Sequence, residues 1–274
     1  MELAHESVAG MPDLVESLKC PQCGGPLHLG PGDVIVTCPY CGTASRIRSE
    51  IPFLLRHAML AARLDAAQAT AVVEGWLDDG FLKPSDLRRA SRVTSLECVY
   101  IPFYVFEVDV TTSYAGLLTR TGSNERRTGT VPRDYFWKVL ARRGSDFPTR
   151  EYKIPLASKV PFDTAGMVRD SSLLNAELDE DEAARLAREE VASHERELLK
   201  DSVDIVEDAR SEISLKDTEL LHAPVWLSTF EYRGRPYRII IDGASGEIVR
   251  GDIPPPTGGL GEFLKDAGRS VFGR

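Results

Sequence analysis

Apolar residues along this chain fall into four blocks, two at helical spacing and two in strand-like runs. Between about 54 and 79, Leu60, Leu64, Ala67 and Ala71 recur at three- and four-residue steps. That spacing predicts a helix, with Gly80 as its stop. A polar connector follows over 83–95. From Leu96 to Val110 the pattern changes to crowded β-branched and aromatic residues, which predicts a strand. Pro102 lies inside it and cannot donate to a ladder, so it marks a strand start, a bulge or an edge. Thr111 to Ala157 reads as further antiparallel strand, turning at Gly122-Ser123-Asn124. A second helix is predicted over Asn175 to Lys200, with the stripe Ala183, Ala187, Val191, His194 and Leu198. Asp179 to Glu182 load its first turn, which suits the positive end of the helix dipole. Leu220 to Arg250 reads as a three-strand meander, turning at Arg233-Gly234-Arg235 and at Gly243 to Gly246.

These blocks match one another. An offset of 122 residues carries Pro102 onto Pro224, Glu97 onto Glu219, and Ala61-Ala62-Arg63-Leu64 onto Ala183-Ala184-Arg185-Leu186. One agreement lies in each helix and one in each strand block. The expected fold class is therefore α+β, with two repeated helix-plus-antiparallel-meander units. Each helix would lie across one face of a curved sheet.

Ahead of the repeat stand two short motifs that carry chemistry. Cys20-Pro21-Gln22-Cys23-Gly24-Gly25 and Cys38-Pro39-Tyr40-Cys41-Gly42 are paired knuckles. The glycine after each second cysteine supplies the positive φ that a tight turn around a metal needs. Two such turns place four thiolates in a tetrahedron about Zn²⁺, with Cys20, Cys23, Cys38 and Cys41 as ligands. The insert is expected to be a hairpin, Leu27-His28-Leu29 against Val34 to Thr37 across a turn at Gly30 to Asp33. His28 reads as an exposed strand residue. The competing reading, a pair of disulfides, needs an oxidising compartment. Four cysteines leave no position for water or substrate, so the zinc is structural. Such a thin core does not fold without its metal. Leu14, Val15 and Leu18 are expected to pack on it as a turn.

Composition narrows the function. The chain has 274 residues and a net charge of −9, which disfavours general nucleic-acid binding. No apolar run approaches the roughly 20 residues of a membrane span. Residues 1–6 lack the basic and apolar regions of a signal peptide, so the expected location is cytoplasmic. The fifth cysteine, Cys98, sits in a strand run and reads as packed. The expected domains are a ribbon over 1–50, α+β units over 51–170 and 171–253, and a linker and tail over 254–274. In the tail, Phe263, Leu264, Val271 and Phe272 are candidate partner-binding anchors behind a Pro/Gly-rich linker.

Two alternatives use other residues. Arginines and lysines from Arg120 to Lys153 interleave with Tyr135-Phe136-Trp137, a pattern that can stack bases and grip phosphate, or form the outer face of a hairpin. A pocket between the two units could group Glu107, Asp109 or Glu231 for catalysis. Neither a phosphate-cradling loop nor a hydrolase motif occurs. The histidines show no ligand spacing, and His194 reads as a core-edge residue.

The knuckles resemble TFIIB-type zinc ribbons. The whole chain looks like a prokaryotic group with an N-terminal CPxCGG/CxYCG ribbon and an α+β region. The residues that carry this are Pro102-Phe103-Tyr104, Pro224-Val225-Trp226, Tyr232 to Tyr237 and Asp242 to Gly246, beside the ribbon. Members of that group commonly end in membrane-spanning helices and act with membrane scaffolds. This chain ends in a short tail instead. The resemblance implies a soluble zinc-ribbon adaptor with a protein partner, recruited peripherally to a membrane-associated complex.

Overall fold

The computed structural model describes residues 18–47, 57–78, 80, 83–119, 122 and 124–255. The expected tail anchors Phe263, Leu264, Val271 and Phe272 lie outside these residues, as do Leu14 and Val15. In chain order the strands and helices are β1 (Ile35–Thr37), β2 (Ala44–Arg46), β3 (His57–Leu60), α1 (Ala66–Asp78), α2 (Leu87–Ala90), β4 (Ser91–Leu118) and β5 (Glu125–Leu140). There follow β6 (Lys159–Pro161), β7 (Ser172–Leu173), α3 (Glu180–Leu198), β8 (Ile205–Tyr232), β9 (Arg235–Asp242) and β10 (Ile248–Gly251). The class is α+β, with strands β3 to β10 in one curled sheet.

Its spine is an antiparallel ribbon of the two 28-residue strands, β4 and β8, paired from Ser91↔Tyr232 to Leu117↔Ile205. At one end β9 and β10 extend the outer edge of β8, from Tyr232↔Arg235 onward. At the other end β5 extends the outer edge of β4, from Phe103↔Leu140 to Leu118↔Glu125. Near the middle, β3 runs parallel to β8 and β7 parallel to β4. Arg233 and Gly234 both take positive φ, the two-residue turn that matches strand twist.

The sequence pattern leaves open whether the two expected helix-plus-meander units join in one sheet or pack separately. Both halves contribute to one sheet, and β10 has no equivalent after β5. Alternation explains the layering. Along β4, Cys98 and Tyr100 face the core under α1, while Tyr104, Phe106, Val108 and Val110 face the core under α3. The intervening Val99, Ile101, Phe103 and Val105 point the other way, onto Phe147, Tyr152, Ile154 and Leu156.

The helix boundaries also shift, for local reasons. The first predicted helix divides. His57–Leu60 is a strand held between β6 and β8, and the helix begins only after Asp65. There the Gln68 N–H donates to the Asp65 carboxylate at 2.8 Å and the Asp65 N–H donates to Gln68 Oε1 at 2.9 Å, a reciprocal cap. The buried stripe becomes Ala69, Val73 and Leu77. The second helix starts at Glu180, because Asn175 and Ala176 are bonded to β1 instead. Asp179 caps it by accepting from the Glu182 N–H. Its stripe is Ala183, Ala187, Val191 and Glu195, so a carboxylate occupies the place expected for His194 and Leu198.

Candidate metal centre and its attachment to the sheet

The two knuckles repeat one backbone pattern. Gly24 N–H donates to the Cys20 carbonyl at 2.8 Å, and Gly42 N–H donates to the Cys38 carbonyl at 2.9 Å. Both glycines have positive φ, +73° and +74°, where a side chain would be strained. The turns bring the four Sγ atoms within 4.8 Å of one another. Cys20 and Cys41 are 3.6 Å apart at sulfur, and Cys23 and Cys38 are 3.7 Å apart. A tetrahedron with Zn–S bonds of about 2.3 Å has edges of roughly 3.8 Å, whereas a disulfide is about 2.05 Å long. The donor set fits Zn²⁺, and these four cysteines form a structural zinc site. Gly25 N–H pulls the Cys23 thiol down, but the crowd of neighbouring thiols and burial push it up to about 12. The Thr43 hydroxyl holds Cys41 down at about 6. Cys20, Cys23, Cys38 and Cys41 would hold Zn²⁺ as thiolates.

The insert differs from the expected hairpin. β1 pairs with β2, across the second knuckle, from Ile35↔Arg46 to Thr37↔Ala44. Its other edge, where Leu27 to Leu29 would have paired, is taken by the body of the protein. Val34 and Ile35 N–H groups donate to the Ala176 carbonyl at 2.8 and 3.0 Å, and Ala176 N–H returns a bond to Ile35. Thr37 N–H donates to Asn175 Oδ1. Asp33 accepts from Asn175 Nδ2 at 2.7 Å and from Arg142 at 3.2 Å. Arg142 also holds Glu177, and Arg46 holds Asp179. Ile35 and Ala44 are buried in the same core as α3. The ribbon is thus bonded along one side to the segment that leads into α3. His28 is exposed outside any strand.

A second attachment lies at Gly42. His57 Nδ1 sits 2.9 Å from the Gly42 carbonyl, and His57 Nε2 sits 2.8 Å from His222 Nδ1. His222 Nε2 meets the Leu174 carbonyl at 2.9 Å. Phe162 stacks on His57 with ring centroids 4.0 Å apart. Burial pushes His57 down to about 4 and His222 to about 3. Sequence spacing could not reveal this pair, because 165 residues separate its members.

The other predicted groups disperse. Arg133 pairs with Glu195, Arg142 with Asp33, Arg143 with Glu182, Arg126 with Glu207 and Arg127 with Glu125. Tyr135 and Trp137 turn inward and donate to Glu195 and Glu190 on α3, while Phe136 stays 61 % exposed on the opposite face. Fully buried Glu195 also accepts from Thr112, and so clamps α3 to β4 and β5. Glu107 and Asp109 lie on the β5 half of the ribbon, and Glu231 lies at the opposite end of β8, so the proposed carboxylate group is not assembled. Asp109 instead lines an open depression of about 590 Å³ with Asp134 and Glu212, and is paired with Lys216. Cys98 is buried, and burial pushes its thiol up to about 12, so it is a packed residue. Among the described residues no helix is long and apolar enough to cross a membrane.

No family model, curated protein or solved structure matches this chain. The likeness to TFIIB-type ribbons therefore rests on the two knuckles, and what stands is a four-cysteine zinc-binding module.

Proposed function

We propose that this chain is a zinc-ribbon adaptor for protein partners, and not an enzyme. The observation that carries this reading is a closed metal site on a ribbon fixed to a larger sheet. Four thiolates leave zinc no open position, so the metal shapes a surface. One side of the ribbon is bonded to Asn175 and Ala176, while Tyr40 and Leu29 are 60 % and 45 % exposed. Tyr40 packs against Gly25, where an added Cβ would lie 2.6 Å from its ring, so an aromatic is held ready at the knuckle. Aromatic anchors of this kind dominate many protein interfaces. Five of the nine basic residues from Arg120 to Lys153 are in ion pairs with the protein's own carboxylates. The cytoplasmic setting, the tail as a second docking point and recruitment to a membrane complex complete the proposal.

We also read the two halves as an internal duplication joined through its long strands. The 122-residue offset carries Ile101 onto Ala223, its own partner in the ladder. It also carries Val99 and Tyr100, which pair with β7, onto Leu221 and His222, which pair with β3. The adaptor would then be a rigid, locally two-fold platform with one ribbon attached.

Affinity capture from the native host tests the reading, with the full zinc-loaded chain, Tyr40→Ser, and a chain truncated after Pro256. Partners lost with Tyr40→Ser place docking on the knuckle, and those lost with truncation place it on the tail. Identical recovery from all three forms excludes both surfaces.

A further inference from the structure

The contact between His57 and His222 does not balance with two neutral rings. A carbonyl oxygen only accepts, so His57 Nδ1 needs a proton for Gly42 and His222 Nε2 needs one for Leu174. The inner nitrogens, 2.8 Å apart, need one more proton between them. Two neutral imidazoles carry two ring protons, and three contacts require three. A bare metal ion does not solve the problem: two bonds of about 2.0 Å at a tetrahedral angle put the nitrogens roughly 3.3 Å apart. The observed spacing is that of a hydrogen bond.

We propose that His57 and His222 share three ring protons in the folded protein, forming a buried cationic latch between the second zinc knuckle and the β3–β8 strand pair. The outer carbonyls fix both ends of the chain of bonds. If one proton leaves, one of the three contacts becomes two facing lone pairs. Burial opposes the charge, as the depressed values of both rings show. Three features favour it. Every contact in the chain is a hydrogen bond only when the third proton is present. Phe162 offers its ring face to His57. A zinc centre with four thiolates is an anion, and Gly42 directly follows its ligand Cys41.

Other titratable groups on the packed elements are Lys159 beside β3, Glu219 on β8, Tyr100 and Tyr104 on β4, Asp163 after β6, and Cys38 and Cys41 in the knuckle. Lys159 and Glu219 pair with each other, Tyr100 and Tyr104 bond elsewhere, and Asp163 caps its own turn. The pair is therefore the site that gains the proton. A proton held more firmly in the folded than in the unfolded chain raises the pair's pKa above the ordinary value of about 6.5. Its stabilisation is full below that value and is lost as pH rises through the folded one.

The test uses the full, zinc-loaded chain. Nitrogen-15 spectra of the histidine rings at neutral pH should show one doubly protonated ring, with His57→Gln providing the assignment. Two neutral rings would overturn the proposal. His57→Gln also supplies the control for stability. A glutamine amide is neutral but has two N–H donors, one for Gly42 and one for His222 Nδ1. The parent's urea midpoint should fall as pH rises from neutral, and His57→Gln should lose that part of the fall. An identical pH dependence in both proteins contradicts the latch.

Discussion

Stripping zinc should weaken the sheet as well as the ribbon. Sequence alone points the other way, because the later helices and strands hold a core of their own. In the structure, however, Ile35 and Ala44 fill the core under α3. A ribbon that unfolds on losing its metal withdraws them and breaks the bonds to Asn175 and Ala176. Burial of an isoleucine side chain contributes about 1.5–3 kcal/mol, and each of the four backbone-linked hydrogen bonds about 1 kcal/mol, with the exposed Arg46–Asp179 pair adding only tenths. The body should lose roughly 6 kcal/mol, a large part of a typical domain's 5–15 kcal/mol. The assay is built into the sequence. All three tryptophans, Trp76, Trp137 and Trp226, lie outside the ribbon, so their fluorescence reports the sheet. Urea unfolding of the zinc-loaded chain, the chelated chain and Cys23→Ser should show the same lowered midpoint in the last two. An unchanged tryptophan midpoint in Cys23→Ser would refute the shared core.

Three further substitutions probe the same account. Glu195→Ala should cost about 3 kcal/mol in chemical unfolding, because Arg133, Thr112 and Tyr135 all lose their common acceptor. Gly42→Ala should lower zinc affinity in a competition titration, since its Cβ would lie 2.8 Å from the Phe162 ring at a φ of +74°. Asp65→Ala removes one half of a reciprocal cap and should cost about 1 kcal/mol by thermal unfolding.

Much of this was legible in the chain, and the misses share a cause. The knuckles are local, so Cys20, Cys23, Cys38 and Cys41 could be assigned from spacing alone. The strand run through Phe103 and the turn at Gly234 were legible for the same reason. The β8 stretch from Ile205 to Glu219 was not, because its alternating residues are half buried and highly charged. The signal lay in that alternation, at Val206, Ala209, Ser211, Ile213 and Leu215. The first predicted helix overruns its true start because His57–Leu60 is apolar enough for either state, and pairing with distant β8 decides it. Glu195 and the His57–His222 pair depend on contacts across tens of residues, where spacing carries no information. The Asp65-x-x-Gln68 cap was readable and marks the true start of α1.

X-ray absorption at the zinc edge, with metal analysis of the same purified sample, tests the central claim most directly. One zinc per chain, surrounded by four sulfur atoms at about 2.3 Å, is the result that the knuckle geometry predicts. A chain free of zinc, a zinc bound by nitrogen or oxygen, or cysteines joined in disulfides would contradict it.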